Sequence, residues 1–177
     1  MHLNETNFSH QLLMRIPCIE KHMEKNTKIS DMTWNSNGTV LAISFYIDNH
    51  IGPCSHTSFI YFYKFTNINE SKSFSSKISL DTNACIKSID SHPTLGNLFV
   101  AASYIGEIYL INISNTDKDL IDCISKIDSY FHKECVVSVK WIKYEEGVYV
   151  IFLTLYCSIS LHYQKKAGYF YGTQAAN

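Results

Sequence analysis

The feature that most constrains the fold is an internal repeat. A pattern of strand, turn, apolar strand, turn and strand occurs three times along the 177 residues. Trp34, Ser91 and Trp141 occupy equivalent positions in the three copies and are 57 and 50 residues apart. Repeats slightly shorter than this, at roughly 40–45 residues, form the four-stranded blades of β-propellers, and longer loops would account for the excess. The repeat therefore predicts an all-β chain made of successive antiparallel sheets.

Each copy supplies three predicted strands, with turns that rest largely on Asn, Asp and Ser. The predicted strands are 29–35, 39–46 and 58–65 in the first copy, 84–93, 98–103 and 107–113 in the second, and 135–141, 148–154 and 158–163 in the third. Weak apolar runs at 77–80 and 120–127 would each add a fourth, outermost strand. The polar stretch 67–76 is predicted to be a loop.

The middle strand of each copy is apolar on both faces, at 40–43, 98–102 and 148–153. Strands that alternate apolar and polar residues expose one face, whereas continuous apolar runs indicate burial on both faces. We expect these three strands to form the core, with each one packed between neighbouring sheets.

The predicted organisation is that of an incomplete propeller. Its parts are 1–28 as an N-terminal segment, 29–80 as a blade, 81–128 as a blade, 129–163 as a partial blade ending after its third strand, and 164–177 as a tail outside the propeller. In the first part, 11–16 would complete a preceding blade, or 14–22 would begin a short helix. Seven blades would need roughly 300 residues. We therefore expect a fragment or a truncated gene model.

The balance of charge argues against binding to nucleic acid. Lys and Arg total 15 against 16 Asp and Glu, and Arg15 is the only arginine. Nucleic-acid-binding domains usually carry a basic face that neutralises several phosphates. Lysines do neighbour aromatic rings at Lys64-Phe65, Lys140-Trp141 and Lys143-Tyr144, but neighbours in a strand point to opposite faces. No nucleic-acid partner is expected.

An uncharged stretch at 147–163 is 17 residues long and lies at the lower limit for a membrane span. Polar Thr154, Ser158 and Ser160 alternate there with apolar residues, which is the period of a strand. The stretch is therefore predicted to be a hairpin, with no membrane insertion. The N-terminus also lacks the charged and apolar regions of a secretory signal, so a cytoplasmic location is expected.

The chemistry-bearing residues form no recognisable catalytic motif. The sequence contains no phosphate-binding loop, no dinucleotide-binding glycine pattern and no nucleophile elbow. The six cysteines, Cys18, Cys54, Cys85, Cys123, Cys135 and Cys157, include no C-x-x-C pair and are expected to be reduced thiols. We predict a non-enzymatic protein. The alternative is a hydrolase with Cys135 as nucleophile and His132 as its base.

Three of the chain's histidine and cysteine residues are candidate metal ligands. His50, Cys54 and His56 are of the types that bind zinc, but their spacing is cramped and the sequence offers no evident fourth ligand. His92 and His132 lie where a predicted sheet begins, and there an imidazole commonly bonds to turn backbone or to an adjacent side chain. We therefore expect no metal and no cofactor.

The second copy resembles the WD-repeat domain of dynein intermediate chains. The residues that carry this resemblance are Ser91-His92-Pro93, Gly96-Asn97-Leu98 and Ala102-Ser103-Tyr104-Ile105-Gly106-Glu107-Ile108, together with Phe131-His132-Lys133-Glu134-Cys135-Val136 before the third copy. The first copy is similar to the intermediate chain of the intraflagellar-transport dynein, cytoplasmic dynein two. That likeness rests on Trp34-Asn35, Gly38, Asn49-His50 and Cys54-Ser55-His56-Thr57-Ser58. The resemblance covers about 29–163.

The resemblance implies a seven-bladed WD-repeat propeller that scaffolds a motor without catalysing a reaction. The implied partners are a dynein heavy chain, a second intermediate chain and dynein light chains, in the cytoplasm, the cytoskeleton, the cilium and its base. The implied role is retrograde intraflagellar transport and cilium assembly. The alternatives are a general WD-repeat scaffold and an intermediate chain of cytoplasmic dynein one or of axonemal dynein.

The sequence departs from the WD pattern at the ends of the third strands. Tyr63, Ile111 and His162 stand where the Trp of the Trp-Asp dipeptide is expected, and Pro53 stands before Cys54 in place of a Trp. Ile105 lies near the turn where the family has an accepting Asp. We expect these departures to reduce the rigidity of the blades but not to change their topology, because burial supplies most of the stability.

Overall fold

The computed structural model describes residues 15–16, 23–48, 50, 54–68, 71–114, 121–124, 135–144, 147–154, 159–165 and 169–175. These residues form twelve strands, and none of them is helical. All strand pairs are antiparallel. The predicted all-β class is confirmed.

The strands form three four-stranded sheets, and in each sheet the spatial order follows the order along the chain. The first sheet contains β1 (Thr27–Trp34), β2 (Val40–Ile47), β3 (Ser58–Ile68) and β4 (Ser71–Thr82). The second contains β5 (Ile86–Ser91), β6 (Leu98–Ser103), β7 (Ile108–Asn112) and β8 (Ile121–Ile124). The third contains β9 (Val136–Tyr144), β10 (Gly147–Thr154), β11 (Ile159–Lys165) and β12 (Tyr169–Ala175).

The turn between β1 and β2 is organised by Asn35. Its side-chain oxygen accepts hydrogen bonds from the backbone N–H of Thr39 at 2.8 Å and of Val40 at 2.9 Å. The chain reverses because Gly38 adopts a φ of 68°, a conformation that side chains with a Cβ rarely take. The Asn35 amide also donates to the carbonyl of Gly96 at 2.8 Å. Asn35 therefore shapes its own turn and ties it to the second sheet.

An apolar layer joins the first and second sheets. It combines side chains from β2 and β3, among them Ala42 and Phe62, with side chains from the second sheet such as Ile89 and Phe99. The rings of Phe62 and Phe99 meet edge to face, with centroids 5.1 Å apart. Packing of this kind places β2 between two apolar layers, because Ile43 faces a separate cluster on the other side of the first sheet.

A second apolar layer joins the second and third sheets through alternate residues of β6. Phe99 and Ala101 face the first sheet, whereas Val100 and Ala102 face Val136, Val139 and Trp141 of β9. All six residues of β6 are buried. The prediction that the middle strands are packed on both faces is thus confirmed for β2 and β6. The side chains of β10 lie outside the described residues.

The first strands of the three sheets, β1, β5 and β9, are linked by hydrogen bonds from sheet to sheet. The Asp31 carboxylate on β1 accepts bonds from the Ser88 hydroxyl at 3.0 Å and from the Ile89 backbone N–H at 3.1 Å. The Ser88 hydroxyl in turn accepts a bond from the backbone N–H of Val139 on β9 at 3.3 Å. Asp90 accepts a bond from the backbone N–H of Trp141 at 2.8 Å. The same relationship therefore recurs between successive sheets.

The prediction of a loop over 67–76 is wrong. Residues 71–76 belong to β4, which pairs with β3 as far as Ile68 opposite Ser71. The serine-rich composition is compatible with a strand because the ladder uses backbone groups, whatever the side chains are. The Ser75 hydroxyl adds a bond to the Lys64 carbonyl at 2.9 Å.

The C-terminal segment also differs from its prediction as a tail. Tyr169–Ala175 forms β12 and pairs antiparallel with β11, so the third sheet has four strands and does not end after its third. The physical reason is that Tyr, Phe and Thr favour strands, and β11 offers them an edge to pair with. The predicted strand at 11–16 and the alternative helix at 14–22 lie outside the described residues, except for Arg15 and Ile16.

Candidate functional site

Four side chains of metal-binding type meet at the junction of the first and second sheets. They are His50, Cys54, His56 and Cys85, and one nitrogen or sulfur atom of each lies within 4.8 Å of the others. The first three belong to the connection between β2 and β3, and Cys85 lies directly before β5. The sequence prediction identified the first three but missed Cys85, which is 31 residues beyond Cys54.

The Cys54 sulfur lies at the centre of this cluster. His50 Nε2 is 3.2 Å from it and His56 Nδ1 is 3.8 Å from it. The backbone N–H of Cys85 also donates to the Cys54 sulfur, at 3.4 Å, while the backbone N–H of Ile47 donates to the Cys85 sulfur at 3.3 Å. Both sulfurs therefore accept backbone hydrogen bonds from ordered chain, which fixes their positions.

The surroundings of the cluster are apolar on the protein side. Cys54 is 8% exposed and Cys85 is fully buried, packed with Ile47 and Ala84. The His50 ring stacks on the Tyr104 ring, with centroids 4.0 Å apart and an angle of 10° between the planes. Tyr104 comes from the turn between β6 and β7, so three connections contribute to the junction.

Burial shifts the pKa values of Cys85 and His50. Desolvation, the largest effect, raises the pKa of the Cys85 thiol to about 11, with Cys54 adding to the rise. Desolvation is also the main cause that lowers the pKa of His50, with the charges of His56 and Lys87 as further causes. The fold therefore holds Cys85 as a thiol and His50 as a neutral imidazole at neutral pH.

His92 has the structural role that the sequence predicted. Its Nδ1 accepts hydrogen bonds from the backbone N–H of Thr94 at 3.2 Å and of Leu95 at 3.0 Å. The ring is 3% exposed and meets the Trp141 ring edge to face, at 4.7 Å between centroids. Burial lowers the pKa of His92. The imidazole is therefore a fixed part of the turn between β5 and β6.

The hydrolase alternative required Cys135 beside His132. His132 lies outside the described residues, so their pairing stays a prediction. Cys135 is half-buried, and desolvation raises the pKa of its thiol, with Lys87 opposing and Cys54 adding to the rise. A raised pKa leaves less of the nucleophilic thiolate at neutral pH.

The pairs of lysine and aromatic residues do not form one surface in the described residues. Phe65 packs against Trp34 at 5.2 Å between ring centroids, on the outer face of the first sheet. Trp141 is buried between the second and third sheets, and Lys140 pairs with Asp90 at 3.5 Å. The Tyr144 side chain lies outside the described residues.

A shallow groove of about 460 Å³ lies beside the turn that Asn35 organises. It is lined by polar residues of both sheets, including Asn37, Ser75 and Asn97, and Lys64 is the charged residue in its lining. No titratable cluster lines it in the described part of the chain. The His–Cys junction is therefore the better candidate for a site.

Comparisons with known proteins do not assign a family. No protein-family model matches the chain, and no curated protein matches it significantly. Among the described residues, no helix is long and apolar enough to span a bilayer. The residues 147–154 and 159–165 instead form the paired strands β10 and β11, as predicted for a hairpin. The fold thus defines the class: an all-β protein of successive antiparallel sheets.

Proposed function

We propose that this chain is part of the WD-repeat propeller of a dynein intermediate chain, and that it acts as a non-catalytic scaffold in the motor of intraflagellar transport. In this proposal, the sheets are blades that link a dynein heavy chain to light chains. The motor assignment depends on the resemblance carried by residues such as Tyr104, Gly106 and Glu107 in the second copy. Fold alone does not give function.

The observation that best supports a propeller is a repeated set of hydrogen bonds between the first strands of successive sheets. Asp31 accepts a bond from the backbone N–H of Ile89. Ser88, which occupies the equivalent position in the second copy, accepts one from the backbone N–H of Val139. Each sheet is therefore bonded to the next at equivalent places. In a propeller, successive meander sheets are arranged radially with their first strands nearest the axis. The neighbour-to-neighbour links fit that arrangement.

The outer face of the first sheet also supports the proposal. Met32 and Trp34 on β1 are 62% and 49% exposed, although both are large apolar residues. Their cross-strand partners Ile43 and Leu41 belong to the apolar cluster on the same face. In a propeller, this face would pack against a preceding blade, which would cover Met32 and Trp34.

The test combines the transcript with a pull-down. Sequencing the transcript across both ends of the chain should show whether further blades flank it, and the tagged product is then expressed in ciliated cells. We expect co-purification of the intraflagellar-transport dynein heavy chain, a second intermediate chain and dynein light chains. Recovery of another dynein heavy chain would indicate cytoplasmic dynein one or axonemal dynein.

The controls distinguish the motor assignment from a general scaffold and from a hydrolase. An unrelated WD-repeat chain carrying the same tag measures background, and partners recovered without any dynein subunit would support a general scaffold. A hydrolase would instead show ester or peptide turnover that is lost in Cys135→Ser. If no dynein subunit exceeds the background, the motor assignment fails.

A further inference from the structure

The junction formed by His50, Cys54, His56 and Cys85 has the donor set of a structural metal site. Two sulfurs and two imidazole nitrogens, each from a different residue, lie within 4.8 Å of one another. Two cysteines and two histidines are among the commonest ligand sets for structural zinc. We propose that these four residues bind one zinc ion in a tetrahedral site.

The distances between the donor atoms are close to those that the metal needs. With Zn–S of about 2.3 Å and Zn–N of about 2.0 Å, tetrahedral ligand atoms lie roughly 3.3–3.8 Å apart. His50 Nε2 and His56 Nδ1 lie 3.2 and 3.8 Å from the Cys54 sulfur. The widest separation in the cluster, up to 4.8 Å, requires only a small inward shift of side chains.

The charge of the four ligands and the groups that contact them also fit zinc. Two thiolates and two neutral imidazoles neutralise a divalent cation, which makes a buried site electrostatically acceptable. The N–H groups of Ile47 and Cys85 already point at the two sulfurs and would stabilise them as thiolates. The Tyr104 ring, stacked on His50, holds that imidazole in its orientation.

Four protein ligands leave no open position for water or substrate, so the site is structural. Its effect follows from the topology. Three ligands lie between β2 and β3, and Cys85 lies at the start of β5, so the ion would join the first sheet to the second. The metal site is independent of the motor assignment, because it rests only on this geometry.

The experiment uses the full 177-residue chain, purified under reducing conditions and freed of metal with a chelator. Zinc is titrated against a metallochromic competitor, and cobalt is titrated as a spectroscopic probe. We expect one equivalent of zinc to bind and to raise the melting temperature, because a ligand that binds only the folded state stabilises it. Cobalt should give the intense absorption of a tetrahedral site with thiolate charge transfer.

Two ligand variants and one matched control test the assignment. Cys85→Ser and His56→Gln should each weaken zinc binding by at least about tenfold, because loss of a ligand costs no less than loss of a residue that only hydrogen-bonds to a ligand. Cys135→Ser removes a free cysteine outside the cluster and should bind like the wild type. His56 is only half-buried, so His56→Gln keeps the test valid if Cys85→Ser does not fold.

Four results would overturn the proposal. The first is a wild-type chain that binds no zinc, and the second is a His56→Gln or Cys85→Ser chain that binds zinc as tightly as the wild type. The third is a cobalt complex without thiolate charge transfer. A Cys54–Cys85 disulfide that persists in the reduced, zinc-treated protein would also contradict it.

Discussion

The Ser88 hydroxyl donates a hydrogen bond to the Asp31 carboxylate across the boundary between the first two sheets, at 3.0 Å. Because the same oxygen accepts the backbone N–H of Val139 from the third sheet at 3.3 Å, one buried side chain joins all three sheets. A hydroxyl has one proton and two lone pairs, so both bonds can be made at once.

The pair of Asp31 and Ser88 can be tested by a double-mutant cycle. Asp31→Ala removes the acceptor for Ser88 and for the Ile89 N–H, so a loss of about 1–3 kcal/mol in the free energy of unfolding is expected. Combined with Ser88→Ala, it should show a coupling energy of about 0.5–1.5 kcal/mol in urea unfolding. Leu95→Ala, an exposed residue that shares no partner with Asp31, should instead be additive with Asp31→Ala. A coupling near zero would show that the contact is not made.

Gly38 offers a test of backbone conformation separated from packing. Its φ is 68°, and a Cβ built there would meet nothing within 4 Å. Gly38→Ala should therefore cost about 1 kcal/mol through conformational strain alone. Gly38→Asn should cost less in the same unfolding measurement, because Asn tolerates this region. Equal costs for the two variants would contradict this explanation.

His92 should make stability depend on pH. Burial lowers its pKa below the ordinary value of 6.5, so the unfolded chain binds the proton more readily than the folded chain. The contribution of the neutral His92 to the free energy of unfolding is therefore complete above pH 6.5. It is lost as the pH falls from there towards the folded pKa, by at most about 1.4 kcal/mol per pH unit. The measurement is the free energy of unfolding between about pH 7.5 and 5.5, with a chelator present.

The control for this prediction is His92→Asn. Its side-chain oxygen can replace Nδ1 as the acceptor for the N–H groups of Thr94 and Leu95, but it does not titrate. The variant should lose less stability on acidification than the wild type. His50, whose pKa is also lowered, is present in both chains, so the difference belongs to His92. Identical pH profiles would be the contrary result.

The strands that could be predicted from the sequence are those with a continuous apolar run or with a regular alternation of apolar and polar residues. β6 was predicted with the bounds Leu98–Ser103 that the structure has, because it is uniformly apolar and is followed by a turn at Gly106. Segments held by backbone pairing were missed. The serine-rich sequence of β4 and the sequence of β12 show no regular apolar pattern, and both strands pair with a neighbouring strand through backbone hydrogen bonds.

The sequence likewise predicted only part of the candidate site. The local spacing of His50, Cys54 and His56 was visible in the sequence, but it specified only three donors. Cys85 joins them because β3 and β4 run out from the junction and back again, which returns the chain to Cys54 after 31 residues. Only the pairing of β3 with β4 brings the fourth donor into place.

Within the described residues, the second sheet packs against both of the other sheets, through β5 and β6. Chains in which each unit contacts its sequence neighbours gain stability as a sum of unit and interface terms, as in a one-dimensional lattice. Of these two interfaces, the first and third sheets each take part in one and the second sheet takes part in both. A substitution that disrupts β5 or β6 should therefore destabilise all three sheets, whereas one confined to the first or third sheet acts through one of these interfaces.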